Sequence, residues 1–240
     1  MIKKSITILQ LYPKDMNIYG DNGNVLVLKR RLEWYGYQAN VIAYNVGDVF
    51  PNDVDIVVGG GGQDSGQKKI QADLMSIAPR LQQLADTGLP MLVICGLYQL
   101  FGKFFKTSTG EVINGIGILD VQTIGKSERL IGNTIVDSTD FGLLYGYENH
   151  SGQTFLDKNV EPLGTIRLGA GNNLQDDNEG ARYKNVIGSY LHGSILPKNP
   201  KLADFLISTA VIKKYGEFEG DPIDDSFALL ARKTAAKRPR

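Results

Sequence analysis

The run Met91-Leu-Val-Ile94 limits the possible folds of this chain more than any other segment. Four consecutive apolar residues lead straight into Cys95-Gly96 and then into the helix-compatible stretch Leu97-Tyr-Gln-Leu-Phe101. A strand that is apolar at every position has no face for solvent, so it belongs inside a parallel sheet covered on both sides. The pattern upstream agrees. Residues 5–12, 39–44 and 55–58 are short and β-branched, while 24–34 and 67–87 carry apolar residues at helical spacing, with Pro79 expected to break or restart the second helix. The order β-α-β-β-α-β argues for an α/β fold with helices on the sheet faces.

From Gly115 to Tyr190 the pattern changes. Residues 116–122, 133–136, 143–148, 163–167 and 186–190 are strand-like and separated by Gly, Asn and Asp turns, which predicts a more antiparallel second half lying against the first sheet. Helical periodicity returns at 201–215 and 227–236. No Pro/Ser-rich linker or internal repeat divides the chain, so residues 1–240 are expected to form a single domain.

Composition excludes several classes of function. The 26 Lys and Arg balance 26 Asp and Glu, and the sequence pI is about 6.7, so no excess of positive charge favours nucleic acid. The only basic run is terminal: Arg232, Lys233, Lys237, Arg238 and Arg240. No apolar stretch approaches the roughly 18–20 residues that span a bilayer, and the alternating N-terminus from Met1 is expected to be a strand and not a signal peptide. One cysteine rules out an internal disulfide and a Cys-based zinc site within the chain. A cytoplasmic protein is the economical expectation.

Cys95 is the focus of the chemistry. A sharp strand-to-helix turn lifts the side chain at its apex out of the sheet, and the helix N-terminus behind it favours a thiolate and offers N–H donors to an oxyanion. This is the geometry of a nucleophile elbow, with sulfur in place of a hydroxyl. A nucleophilic thiol needs a base, and the chain has two histidines, His150 in Gly146-Tyr-Glu-Asn-His150 and His192 in Gly188-Ser-Tyr-Leu-His192-Gly193. Both stand at strand ends, and residue chemistry alone does not choose between them. The run Gly59-Gly-Gly-Gly62 lets backbone approach a ligand closely but does not fit a P-loop. Gly20-Asp21-Asn22-Gly23-Asn24 has the composition of a turn and helix N-cap, and leaves open that Asp21 faces the site from the end of the first strand.

Taken together, Tyr19-Gly-Asp-Asn-Gly-Asn24, Gly59-Gly-Gly-Gly-Gln-Asp64, Ile94-Cys-Gly-Leu-Tyr-Gln99, Gly146-Tyr-Glu-Asn-His150 and Gly188-Ser-Tyr-Leu-His-Gly193 resemble the class I, triad-type glutamine amidotransferases. The resemblance is to their cobyric acid synthase-like branch, and within it to the glutaminase subunits of bacterial lipid II isoglutaminyl synthases. It implies a three-layer, flavodoxin-like α/β fold with a mostly parallel central sheet. It also implies Cys95 as nucleophile, His192 as general base, and Arg129, Gln99, Gly60, Gly61 and Gly96 as the substrate-binding set. Arg129, in Lys126-Ser-Glu-Arg129, matches the arginine that holds glutamine; Gly60 or Gly61, with the N–H of Gly96 or Leu97, matches the oxyanion hole.

The chain departs from the wider family at two places. Val93 and Leu97 replace the glycines that commonly flank the nucleophile, and Ser194 stands where the wider family has the glutamate that orients the histidine. The resemblance therefore implies either a Cys–His dyad or an acid supplied in trans by a Mur ligase-like partner (MurT). The implied activity is hydrolysis of L-glutamine to glutamate and ammonia, with the ammonia passed to that partner, which amidates the D-glutamate α-carboxyl of lipid II. No metal or cofactor is expected on this chain; ATP and Mg belong to the partner. Two other readings are a glutaminase for cobyrinic acid amidation, normally fused to an ATP-binding domain, and a non-catalytic subunit kept for its contact with a ligase.

Overall fold

The strand that carries the cysteine lies in the middle of a six-stranded sheet in this computed structural model, which describes residues 4–237. Met1 to Lys3 of the alternating N-terminal segment, and Arg238 and Arg240 of the basic run, lie outside the described residues. The elements of the first part are β1 (Ser5–Leu11), α1 (Asn22–Trp34), β2 (Gln38–Tyr44), β3 (Ile56–Gly59), α2 (Asp64–Asp86), β4 (Met91–Ile94) and α3 (Gly96–Phe101). Then come β5 (Phe104–Lys106), β6 (Val112–Asn114), β7 (Val121–Ser138), β8 (Gly142–Leu156), β9 (Gly164–Leu168), β10 (Asn178–Glu179), β11 (Ala181–Tyr183) and β12 (Val186–Ser189). The chain continues through α4 (Ile195–Lys198), α5 (Pro200–Tyr215) and α6 (Ser226–Ala235).

The central sheet has the order β11-β12-β4-β3-β1-β2, parallel throughout except for β11 at one edge. Every residue of β3, β4 and β12 is buried, as a strand without a solvent face requires. Each large apolar side chain there contributes roughly 1.5–3 kcal/mol by leaving water. Against this sheet lies a second one, order β10-β9-β7-β5-β6 with β8 also on β7, which is antiparallel apart from the β5–β7 pair.

Three expectations need correction. Pro79 does not interrupt its helix: α2 runs unbroken over 23 residues. The buried stripe Ile70, Leu74, Ile77, Leu81, Leu84 continues on both sides of it, while Pro79 is exposed, so water can take up the carbonyl that its missing N–H leaves free. The strand-like residues 186–190 belong to the first sheet and not to the antiparallel half: β12 pairs in parallel with β4, from Val186 opposite Met91 to Ser189 opposite Ile94. Finally, the segment 116–122 is strand only from Val121 onward, and its end, 133–136 and 143–148 are parts of one long hairpin, β7 with β8, whose register shifts between Gly125 and Leu130. That irregularity breaks the apolar alternation in the sequence without ending the strand.

A candidate active site at the carboxyl ends of the parallel strands

Four adjacent parallel strands, β12, β4, β3 and β1, end on the same side of the sheet, and each delivers a segment to one place. Ligands in open α/β sheets bind beyond these carboxyl ends. β4 runs into Cys95, which sits at φ +49°, ψ −103° immediately before α3. The Cys95 N–H bonds to the Ser189 carbonyl at 2.9 Å and the Gln99 N–H returns to the Cys95 carbonyl at 2.9 Å, so the turn is held from both sides. β12 continues through Tyr190 and Leu191 to His192, whose backbone pairs with Tyr147 of β8: its N–H bonds to the Tyr147 carbonyl at 2.7 Å. The glycine run follows β3, and the loop after β1 carries Tyr19 and Asp21.

One point in space shows how close these groups are. A methyl group added at Gly61 would lie 2.7 Å from His192 Cε1, 3.2 Å from Cys95 Cβ and 3.4 Å from Asp21 Oδ2. Asp21 Oδ2 accepts the Gly61 N–H at 2.7 Å and stands 3.6 Å from His192 Nδ1. Both residues are buried, and neither ring nitrogen of His192 has a hydrogen-bond partner. The imidazole thus stands beside both thiol and carboxylate without hydrogen-bonding either; catalytic contacts commonly tighten only when substrate is bound. Burial by itself would drive the His192 imidazolium to deprotonate. The charge of Cys95 and the neighbouring Asp21 carboxylate outweigh it, and its pKa is raised to about 10.

His150 has a different environment. Its ring stacks on Tyr190 with centroids 3.6 Å apart, Nδ1 bonds to the Gly152 carbonyl at 2.7 Å, and burial pushes its pKa down to about 3. It is a neutral side chain in the wall of the site. Of the two histidines, it is His192 that the structure places around Gly61 with Cys95 and Asp21, while His150 is tied to Tyr190 and Gly152.

Beside Cys95 opens a cavity of about 370 Å³, within the range of small-molecule sites. Its lining includes Gly62, Asp64, Gln99, Arg129, Asn149 and His150. Arg129 reaches it from the irregular stretch of β7 between Gly125 and Leu130; Nε bonds to Asn149 Oδ1 at 2.6 Å and Nη2 to the Tyr19 hydroxyl at 3.1 Å. Gln99 is also in the wall, but its amide is largely used by the protein. Its carbonyl accepts from Gln67 at 2.8 Å and its NH₂ donates to the Tyr190 hydroxyl at 3.1 Å. Gln99 therefore braces the cavity wall between Gln67 and Tyr190 and has little left to offer a ligand.

None of the three glycines of the predicted set, Gly60, Gly61 and Gly96, lines the cavity. The Gly61 N–H is taken by Asp21, and at Gly60 a Cβ would meet the Met16 carbonyl oxygen at 2.4 Å. These two glycines allow backbone and side chains to approach closely, and neither lines the cavity. Gly62 does line it, and its nitrogen lies 3.0 Å from where a Cβ of Gly96 would sit, so the two backbones meet behind the thiol. Tyr19 and Asn149 carry no sequence signal of their own apart from lying inside the quoted motifs, whereas Gly62 belongs to the glycine run that the sequence marks for close backbone approach. Among the described residues, no three His, Cys, Asp or Glu side chains cluster as a metal site, and no helix is long and apolar enough to cross a membrane.

A buried thiol–imidazole pair at the carboxyl edge of a parallel sheet, beside a cavity with a guanidinium, is an arrangement with the parts that nucleophilic acyl transfer requires. Residues 7–200 match the CobB/CobQ-like glutamine amidotransferase domain, and the chain belongs to that family. It is 37% identical over 234 residues to the GatD subunit of lipid II isoglutaminyl synthase (glutamine-hydrolyzing) from Staphylococcus aureus, covering 97% of this chain and 96% of that one. To the subunit of the same name from Streptococcus pneumoniae it is 40% identical over 215 residues, covering 88% and 83%. A glutamine amidotransferase from Thermotoga maritima shares the fold, with a TM-score of 0.56 over 96% of this chain and 93% of that chain at 15% identity.

Proposed function

We propose that this chain is the glutaminase subunit of a lipid II isoglutaminyl synthase and hydrolyses L-glutamine through a Cys95 thioester. The observation that carries the reading is the meeting of Cys95, His192 and Asp21 around Gly61, next to a cavity into which Arg129 projects. The Cys95 thiolate attacks the side-chain amide carbon of glutamine, and the tetrahedral oxyanion is held by backbone N–H groups, with Gly62 and Gly96 as the donors. The His192 imidazolium protonates the nitrogen as the C–N bond breaks, releasing ammonia and leaving a glutamyl thioester. His192, now neutral, takes a proton from water as that water attacks the thioester, and glutamate and the thiolate are regenerated. The Arg129 guanidinium suits the α-carboxylate of a free amino acid, and Asp64 on the same cavity suits its α-ammonium.

The similarity to the two GatD subunits supports the destination of the ammonia: a Mur ligase-like partner (MurT) that amidates the D-glutamate α-carboxyl of lipid II to D-isoglutamine. In this reading ATP and Mg bind the partner, this chain works in the cytoplasm, and the lipid is reached through the partner. The test is glutamine hydrolysis by the chain with and without the partner, comparing wild type, Cys95→Ala and Arg129→Ala. Cys95→Ala is expected to abolish turnover, and Arg129→Ala to raise KM by about 10- to 100-fold, as loss of charge-assisted hydrogen bonds worth roughly 1.5–3 kcal/mol implies. Turnover that survives Cys95→Ala would remove the thioester mechanism.

A further inference from the structure

The residue two past the base, where the wider family places its orienting carboxylate, is Ser194 here. Its hydroxyl does not serve the imidazole: it donates to the Gly20 carbonyl at 2.7 Å and so ties down the turn that precedes α1. The next residue, Asp21, occupies the N-cap position of α1, where an aspartate ordinarily accepts an N–H of the first helical turn. It makes no such capping bond. The carboxylate is turned inward, where Oδ2 takes the Gly61 N–H at 2.7 Å and stands 3.6 Å from His192 Nδ1, while Oδ1 is buried with no partner at all. A buried carboxylate oxygen with no hydrogen bond is costly, by about 1–3 kcal/mol or more, and His192 Nδ1, which faces the other oxygen, is equally unpartnered. A sub-ångström movement of the ring or the carboxylate closes the Oδ2–Nδ1 contact and gives the imidazole its partner.

We infer that Asp21 is a positioning residue for His192, so that this chain supplies the third member of its own catalytic centre, and Ser194 fixes the loop that presents it. The inference rests on the glutaminase reading for its catalytic meaning, but the contact itself is a property of the fold. Asp21 faces His192 from the N-terminus of α1, Cys95 from the β4–α3 turn, Tyr19 from the preceding loop at 4.5 Å between ring centroids, and Tyr147 from β8; Lys198 of α4 lines the cavity on the outer side of the imidazole, and His150 lies further along β8. Asp21 and the Cys95 thiolate are the anions that stabilise the imidazolium, and the carboxylate on Nδ1 leaves Nε2 to serve the reacting atoms.

The discriminating variant is Asp21→Asn, which keeps an oxygen for the Gly61 N–H and removes only the charge. NMR titration of the His192 ring in the isolated chain, assigned with the help of His150→Gln, reads the contact without requiring turnover. Wild-type imidazolium is expected to persist to about pH 10, and the Asp21→Asn midpoint is expected to fall by about one unit or more. In parallel, kcat for glutamine should drop roughly 100-fold with KM little changed, the alkaline limb of its pH profile should move to lower pH, and Asp21→Glu should recover part of the rate. An unchanged His192 titration and alkaline limb in Asp21→Asn would overturn the inference, leaving Asp21 as an anchor for Gly61 and the carboxylate to a partner. Loss of the titration shift and loss of glutaminase activity are separate outcomes: a wild type that shows the imidazolium but never hydrolyses glutamine counts against the proposed function alone.

Discussion

At Cys95 the backbone adopts φ +49°, ψ −103°, a region that L-residues with a side chain avoid at a cost of order 1–3 kcal/mol. The surrounding structure holds it there: the strand before it is buried on both faces, and its N–H and C=O are both bonded. Gly61 shows how little room this leaves. Gly61→Ala places a methyl 2.7 Å from His192 Cε1 and forces the imidazole away from the thiol and Asp21. Overpacking of this kind destabilises a fold by roughly 1–3 kcal/mol, and misplacement of a reacting group by an ångström lowers rate by about 100-fold. The expected result is a fall in kcat at nearly constant KM, measured by steady-state glutamine hydrolysis; wild-type kcat in Gly61→Ala would mean that the crowding around Gly61 has no bearing on the chemistry. At this scale the sequence is readable where a residue type has few uses. The lone cysteine after a buried strand announces itself, and two histidines limit the base to two positions. Asp21 is harder to read, because an aspartate before a helix looks like a cap whichever way its carboxylate turns.

At the scale of elements, α2 and the β7–β8 hairpin mark where local pattern and outcome part. Pro79 carries a strong local signal for a helix end, yet the apolar stripe from Ile70 to Leu84 binds α2 to the sheet on both sides of it. Proline in a helix interior is about 3 kcal/mol less favourable than alanine, offset by its smaller unfolded-state entropy, so Pro79→Ala should stabilise the chain by roughly 1–2 kcal/mol. Urea unfolding checks this; a destabilised variant would show that the proline's rigidity matters more than the missing hydrogen bond. In the hairpin the irregular stretch between Gly125 and Leu130 obscured one long strand as two, and that same irregularity directs Arg129 to the cavity. The guanidinium at the cavity and the broken pattern have a single cause.

For the whole molecule, two buried groups set the acid limb of stability. Burial holds His150 neutral, with its pKa lowered to about 3 from 6.5, so an unfolded chain gains a proton that the folded chain refuses as pH falls from about 6.5 to about 3, and stability is lost. Glu179 acts in the opposite direction. Burial, partly countered by Ser189 and the Tyr190 N–H, raises it to about 7 from 4.5, so the folded state takes up its proton first as pH falls through about 7, and stability is gained down to about 4.5. Between about pH 6.5 and 4.5 the two nearly cancel, and below about 4.5 the histidine acts alone. His150→Gln should therefore lose less stability than wild type between about pH 7 and pH 4, read from urea unfolding at each pH; parallel curves would place the titration elsewhere.

By itself the sequence determined the parallel core, the helices around it, the elbow at Cys95 and the membership of a family, because these depend on local periodicity, on strands with no polar face and on motifs short enough to be read along the chain. Only the tertiary structure decided that β12 joins the central sheet beside β4, which brings His192, the histidine to which the family resemblance points, to Gly61 together with Cys95 and Asp21. It likewise decided that Gly60 and Gly61 pack against Asp21, that the Gln99 amide bonds to Gln67, and that Asp21 turns inward. Strand neighbours and side-chain directions come from long-range packing among residues such as Asp21, Gly61, Cys95 and His192, which lie far apart in the chain and have no common local pattern to announce their meeting.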